Sequence, residues 1–219
     1  MPWAVGRNLT FAYKMTNLYL RMLKKQLCFL YLIFLVSFSA NAQTYEKQHE
    51  IYSQPLASFE EVDSTYFSLV HIRDSSLRGV IAPNFVVSTI DKQKIELSQL
   101  KGQVVFLNFW FTRCQPCIEE IKYLNQLVKL YTNKKIVFIS FANDATPILK
   151  QFISKHPFKF KHISNGDSIR KDVFKLMPLW PQNILIDQNG KIVKMGLDLG
   201  PVTENTFHNF QELIDDLLK

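Results

Sequence analysis

Asn108-Phe109-Trp110-Phe111-Thr112-Arg113-Cys114-Gln115-Pro116-Cys117 is the stretch on which the reading of this chain turns. It ends a near-continuous apolar run over residues 103–111, the pattern of a central strand covered on both faces. Beyond it, Cys117, Ile121, Leu124, Val128 and Tyr131 recur in steps of four and three, which predicts a helix over residues 114–131. A strand therefore ends and a helix begins at Cys114. Free backbone N–H groups and the positive end of the helix dipole converge at such a point and favour a thiolate over a thiol. They can lower a cysteine pKa from about 8.5 to roughly 3.5–7.5. The thiolate is the nucleophile of disulfide exchange. Cys114 is thus expected to be exposed and activated. Cys117, one turn further in and on the apolar stripe, is expected to be shielded and to resolve a mixed disulfide formed at Cys114.

Around this core the pattern is an ordered α/β series. Residues 84–90 and 136–141 read as strands, and 146–156 as a helix stopped by Pro157, with 158–163 extended after it. Residues 167–176 read as a shorter helix. Residues 184–186 and 191–195 flank Asn189-Gly190, a hairpin turn signal. Residues 203–218 close the chain as an amphipathic helix with Thr203 at its N-cap. The fold class is α/β, a mixed central sheet flanked by helices. Residues 43–79 are read as a polar, irregular N-terminal extension with no chemistry of its own. Its one apolar stretch, Tyr66 to Ile72, alternates loosely and predicts a strand.

The 219 residues carry 26 Lys and Arg against 19 Asp and Glu, a net charge of +7 that invites a nucleic-acid reading. Five of those cations (Arg7, Lys14, Arg21, Lys24, Lys25) lie in the first 25 positions, and none of the acids does. Without that segment, 21 basic residues face 19 acidic ones, and nucleic-acid binding loses its main support. The segment itself has the pattern of a secretory signal. Lys24 and Lys25 form a positive region, Leu27 to Phe38 an apolar run of 12 residues, and Ala40-Asn41-Ala42 a small-x-small cleavage pattern, with Gln43 as the mature start. The run is shorter than the roughly 20 residues of a membrane-spanning helix. Residues 1–21 read as sequence upstream of a natural start at Met22. The expected organisation is a leader over 1–42, the extension over 43–79 and the catalytic domain over 80–219, in a protein exported to the periplasm or cell envelope. Cys28 leaves with the leader, so the mature chain holds Cys114 and Cys117 only. A loop closed across two residues contributes little as a structural staple, so chemistry explains the pair better.

Ala82-Pro83-Asn84-Phe85, Leu97-Ser98-Gln99-Leu100-Lys101-Gly102, the run from Asn108 to Cys117, and Trp180-Pro181-Gln182-Asn183-Ile184-Leu185-Ile186-Asp187-Gln188-Asn189-Gly190-Lys191-Ile192 appear in order. With these motifs the chain resembles the TlpA/ResA-like branch of exported thioredoxin-fold proteins. The resemblance implies a thioredoxin-like fold, a redox-active Cys114–Cys117 pair, and a cis Pro181 facing it. It also implies that the Trp180 backbone pairs with an extended substrate segment. Thioredoxins proper carry a buried Asp at the position of Asn108, whereas this branch commonly has Asn there and often a Glu at the position of Glu120.

Glu120 has two readings: a proton acceptor for the resolving thiol, or an exposed first-turn acid complementing the helix dipole. Arg113 stands where the family usually has Trp. It either stabilises the Cys114 thiolate and alters the partner surface, or is a solvated surface cation. Trp180 stands where smaller residues are usual, and either narrows the substrate groove or restores the aromatic surface absent at position 113.

The site assignment is therefore Cys114, Cys117 and Glu120 as catalytic residues, with Trp180, Pro181 and Arg113 binding substrate. No cofactor and no metal is assigned. The expected partners are disulfide-containing exported proteins and, by resemblance, a membrane thiol-transport electron donor. The expected activity is thiol–disulfide exchange, running as a reductase. Two rivals are a peroxiredoxin-like peroxidase and a metal-binding or redox-chaperone module. Zinc needs four ligands, of which the cysteine pair supplies two, and His49, His71, His156, His162 and His208 form no ligand-spaced pair.

Overall fold

A computed structural model describes residues 45–54 and 64–219. The leader and cleavage pattern read over 1–42 lie outside the described residues. The apolar run through Asn108 forms β3 (Val104–Trp110), every residue of which is buried. Parallel to it runs β4 (Ile136–Ala142), and parallel to β4 runs β5 (Lys161–Ile163). On the other side β6 (Gln182–Ile186) pairs antiparallel with β3, and β7 (Ile192–Met195) antiparallel with β6. The sheet order is β5-β4-β3-β6-β7, and a separate two-stranded ribbon is made by β1 (Val86–Ser88) and β2 (Lys94–Glu96).

Alternation along β3 gives each face its own core. Val105, Leu107 and Phe109 join Phe85, Ile139, Phe141 and Phe174 on one side. Val104, Phe106 and Trp110 join Leu124, Leu127, Phe210 and Ile214 on the other. The second core is covered by α3 (Gln115–Leu130) and α6 (Phe207–Leu217), while α4 (Thr146–Lys155) contributes Leu149. Asn108 has the parity of Val104, Phe106 and Trp110, so it is a polar residue on the α3 face of a buried strand. The expected mixed sheet flanked by helices is what the chain forms.

One close approach is fixed by a glycine. A Cβ added at Gly166 would lie 2.7 Å from Phe141 Cβ and 3.0 Å from its Cα. Backbone cannot yield as a side-chain tip can, so Gly166→Ala should destabilise the fold by about 1–3 kcal/mol. A lowered urea midpoint at unchanged slope is the expected reading.

Several local expectations need correction. The stretch Tyr66 to Ile72 is not a strand but part of α2 (Ser64–Ser76). Alternation would put Val70 and Ile72 on one face, yet Val70 is 1% exposed and Ile72 53%. Burial instead falls on Val70, Arg73, Asp74 and Leu77, a helical spacing closed by the Arg73–Asp74 ion pair at 2.6 Å. Residues 45–53 are helical too (α1), and Tyr45 is fully buried, its hydroxyl donating to the Phe174 carbonyl at 2.8 Å. The short helix expected over 167–176 shrinks to a π-turn (Ile169–Val173), with the Phe174 N–H donating to the Ile169 carbonyl. A four-residue helix, α5 (Gly196–Leu199), precedes the last one and is tied to α2: the Leu197 N–H donates to Asp74 Oδ2 at 2.9 Å. The last helix begins at Phe207 with Thr206 at its N-cap, three residues later than expected. Thr203 and Thr206 instead bond each other, N–H to hydroxyl in both directions, and form a turn ahead of the helix.

Candidate active site

The site is built where β3 gives way to α3. Cys114 is the N-cap of α3, Gln115 and Pro116 form its first turn, and Cys114 Sγ accepts the Cys117 N–H at 3.3 Å. Pro116 lacks an N–H where the helix could not have used one. Cys114 and Cys117 are joined as a disulfide, with an S–S distance of 2.04 Å and Cα atoms 5.2 Å apart. The expected exposure of Cys114 is not met in this oxidised pair: Cys114 is 5% exposed and Cys117 1%. The Cys114 sulfur is bonded to Cys117 and accepts the Cys117 N–H, while its neighbours Arg113, Gln115 and Pro116 are exposed.

Glu120 follows Cys117 by one helical turn and is 2% exposed, so the reading as an exposed first-turn acid is withdrawn. Three donors converge on it. Asn108 Nδ2 donates to Oε1 at 2.6 Å, the Val202 N–H to Oε2 at 2.9 Å, and Asn183 Nδ2 to Oε2 at 3.4 Å. Burial drives the carboxyl up to about 7, against the pull of those three hydrogen bonds. Asn108 also donates to Asn183 Oδ1 at 3.0 Å, and Asn183 to the Gly200 carbonyl at 3.0 Å. Asn108 Oδ1 is buried with no partner. A neutral Glu120 has one O–H to give, and rotation of the Asn108 amide would turn that oxygen toward it.

Asn183 and Val202 were not singled out from the sequence. Asn183 sits at the start of β6, just ahead of the apolar residues read as a strand, and only the β3–β6 register shows it to be the direct cross-strand partner of Asn108. Val202 contributes a backbone N–H from beyond α5, and no side-chain pattern announces that.

The Trp180–Pro181 peptide is cis, as the resemblance implied. Pro181 immediately precedes β6, whose Gln182 pairs with Phe109, so it lies beside the end of β3 that leads to Cys114. Trp180 meets Phe111 edge to face, ring centroids 5.5 Å apart, and the Arg170 guanidinium lies over the indole at 4.9 Å. Phe111, Arg113, Asn143, Asp144 and Trp180 line an open cleft of about 400 Å³. Trp180 therefore forms a wall of that cleft and supplies aromatic surface next to exposed Arg113. Among the described residues no three His, Cys, Asp or Glu side chains gather into a cluster able to hold a metal.

A dithiol pair at the head of a helix, packed on a mixed sheet beside a cis-proline strand, defines a thioredoxin-fold thiol–disulfide exchanger. Residues 79–195 match the AhpC/TSA family. The thiol-disulfide oxidoreductase ResA of Bacillus thuringiensis subsp. konkukian (strain 97-27) is 42% identical over 118 residues, covering 53% of this chain and 67% of the relative. That of Bacillus subtilis (strain 168) is 32% identical over 143 residues, covering 65% and 78%. A thiol:disulfide interchange protein of the thioredoxin family from Chlorobium tepidum TLS superposes with a TM-score of 0.55 at 22% identity, covering 65% of this chain and 98% of its own, which shows the shared fold. The chain belongs to the AhpC/TSA family as a ResA/TlpA-like thioredoxin-fold protein, and it is a thiol–disulfide oxidoreductase.

Proposed function

We propose that this oxidoreductase reduces disulfides of exported proteins through Cys114 and Cys117, outside the cytoplasm, drawing electrons from a membrane thiol transporter. The observation that carries the reading is the Cys114–Cys117 disulfide at the N-terminus of α3, backed one turn on by the buried acid Glu120. In the reduced protein the Cys114 thiolate attacks one client sulfur. A Cys114–client bond forms as the client S–S bond breaks, and the departing client sulfur takes a proton. Cys117 passes its proton to Glu120 and attacks Cys114 Sγ. The mixed disulfide breaks, the second client thiol leaves, and the protein ends as the Cys114–Cys117 disulfide with the client reduced by two electrons. The transporter returns those electrons.

Export is supported by the Lys24-Lys25, apolar-run and Ala40-Asn41-Ala42 pattern. The reducing direction is supported by the surroundings of the sulfurs. Disulfide pairs become strong oxidants when their reduced form is stabilised. Here one N–H reaches Cys114 Sγ, and the side chain one turn beyond Cys117 is the acid Glu120 rather than a cation.

A redox titration of the Cys114–Cys117 pair tests this. The expected midpoint lies nearer thioredoxin's value of about −270 mV than the value of about −120 mV of a strong exported oxidant. A midpoint at or above about −150 mV would turn the proposal toward oxidation, since 30 mV is about 1.4 kcal/mol for this couple.

A further inference from the structure

We infer that the cleft beside Cys114 selects clients whose reactive cysteine is flanked by an acidic side chain, which Arg113 receives; this rests on the disulfide-exchange reading above. The cleft's five lining residues are Phe111, Arg113, Asn143, Asp144 and Trp180. Asp144 is already occupied, because its two carboxylate oxygens accept the Thr112 N–H at 2.7 Å and the Thr112 hydroxyl at 2.8 Å. Arg170, the cation beneath Trp180, is also occupied. It is buried, donates to Asp167 Oδ1 at 2.6 Å and to the carbonyls of Leu176 and Met177, and so fixes the indole rather than meeting solvent. Arg113 is left exposed, with no hydrogen bond or ion pair to a described residue, immediately before the attacking sulfur.

The cleft thus combines an indole held between Phe111 and Arg170 with a guanidinium that has no hydrogen bond or ion pair to a described residue. A peptide laid along the wall with its sulfur at Cys114 brings its flanking side chain to Arg113. A guanidinium offers a planar fork of donors that matches a carboxylate. The pairing is solvent-exposed, so its effect is modest and sensitive to salt.

Single-turnover reduction by the pre-reduced full chain decides it, using three synthetic peptide disulfides identical except for Asp, Asn or Lys next to the cysteine. Each rate is divided by the rate with dithiothreitol, which removes the peptide's intrinsic reactivity. The expected order is Asp over Asn over Lys, with Asp favoured over Asn by about three- to fivefold at low salt. The preference should shrink toward unity near 1 M salt, where the screening length is about 3 Å. It should also vanish in Arg113→Gln. A normalised Asp-to-Asn ratio of one in the native protein, a preference for Lys reflecting Asp144, or an acid preference that survives Arg113→Gln each overturns the inference. If none of the three peptides is reduced, the oxidoreductase reading fails and takes the inference with it.

Discussion

Glu120→Gln is expected to slow disulfide exchange by about 10²-fold, the lower range for removing a positioned proton acceptor. The native rate should climb as pH rises through about 7, where the buried carboxyl ionises, and then level off. In Glu120→Gln that inflection should disappear. The same group leaves a mark on stability. Its folded-state pKa is raised from 4.5 to about 7, so the folded protein holds the proton more tightly than the unfolded chain between those values. Stability attributable to Glu120 is therefore present at low pH and falls as pH rises across that window. Glu120→Gln should flatten the decline, measured as urea midpoints at several pH values. An unchanged rate with the inflection intact would remove Glu120 from the mechanism and leave Asn108 and Asn183 as structural partners only.

Cys114→Ser is expected to reduce turnover of a peptide disulfide to the rate of the supporting thiol reductant alone. Cys117→Ser should lose multiple turnover equally but retain the first step, because the attacking sulfur is still capped by the helix and only the resolving sulfur is gone. The two variants thus look alike in a steady-state assay and differ in a single-turnover one. Burial sharpens the contrast. Both cysteines are buried in the oxidised pair, and Cys114, at 5% exposed against 1%, is the N-cap residue, ahead of the first turn of α3.

Much of this arrangement is legible in the sequence because it depends on local patterns. The apolar run into Cys114 and the four-and-three spacing after it place the pair at a helix start, and the family resemblance implies the cis Pro181 ahead of a strand. What escapes is set by contacts between distant residues. Glu120 reads equally well as a surface acid until Val202, 82 residues away, and Asn183, 63 away, are seen to donate to it. The segment from Tyr66 to Ile72 reads as a strand because its residues alternate loosely, whereas its true partners are chosen at helical spacing by Asp74, which caps α5, and by the buried Arg73 beside it. The burial of Cys114 is seen in a disulfide-bonded pair, and a sequence does not specify the redox state. Arg113 and Trp180 were visible as unusual residues. That they line one cleft, with Arg170 holding the indole, needed the fold.

The central claim is that Cys114 is the sulfur that meets the client. Reduced Cys117→Ser protein, mixed with a peptide disulfide, quenched with acid and digested, should yield one covalent peptide adduct, mapped by mass spectrometry to Cys114. Formation of the same adduct on Cys117, at a comparable rate in reduced Cys114→Ser protein, would contradict it.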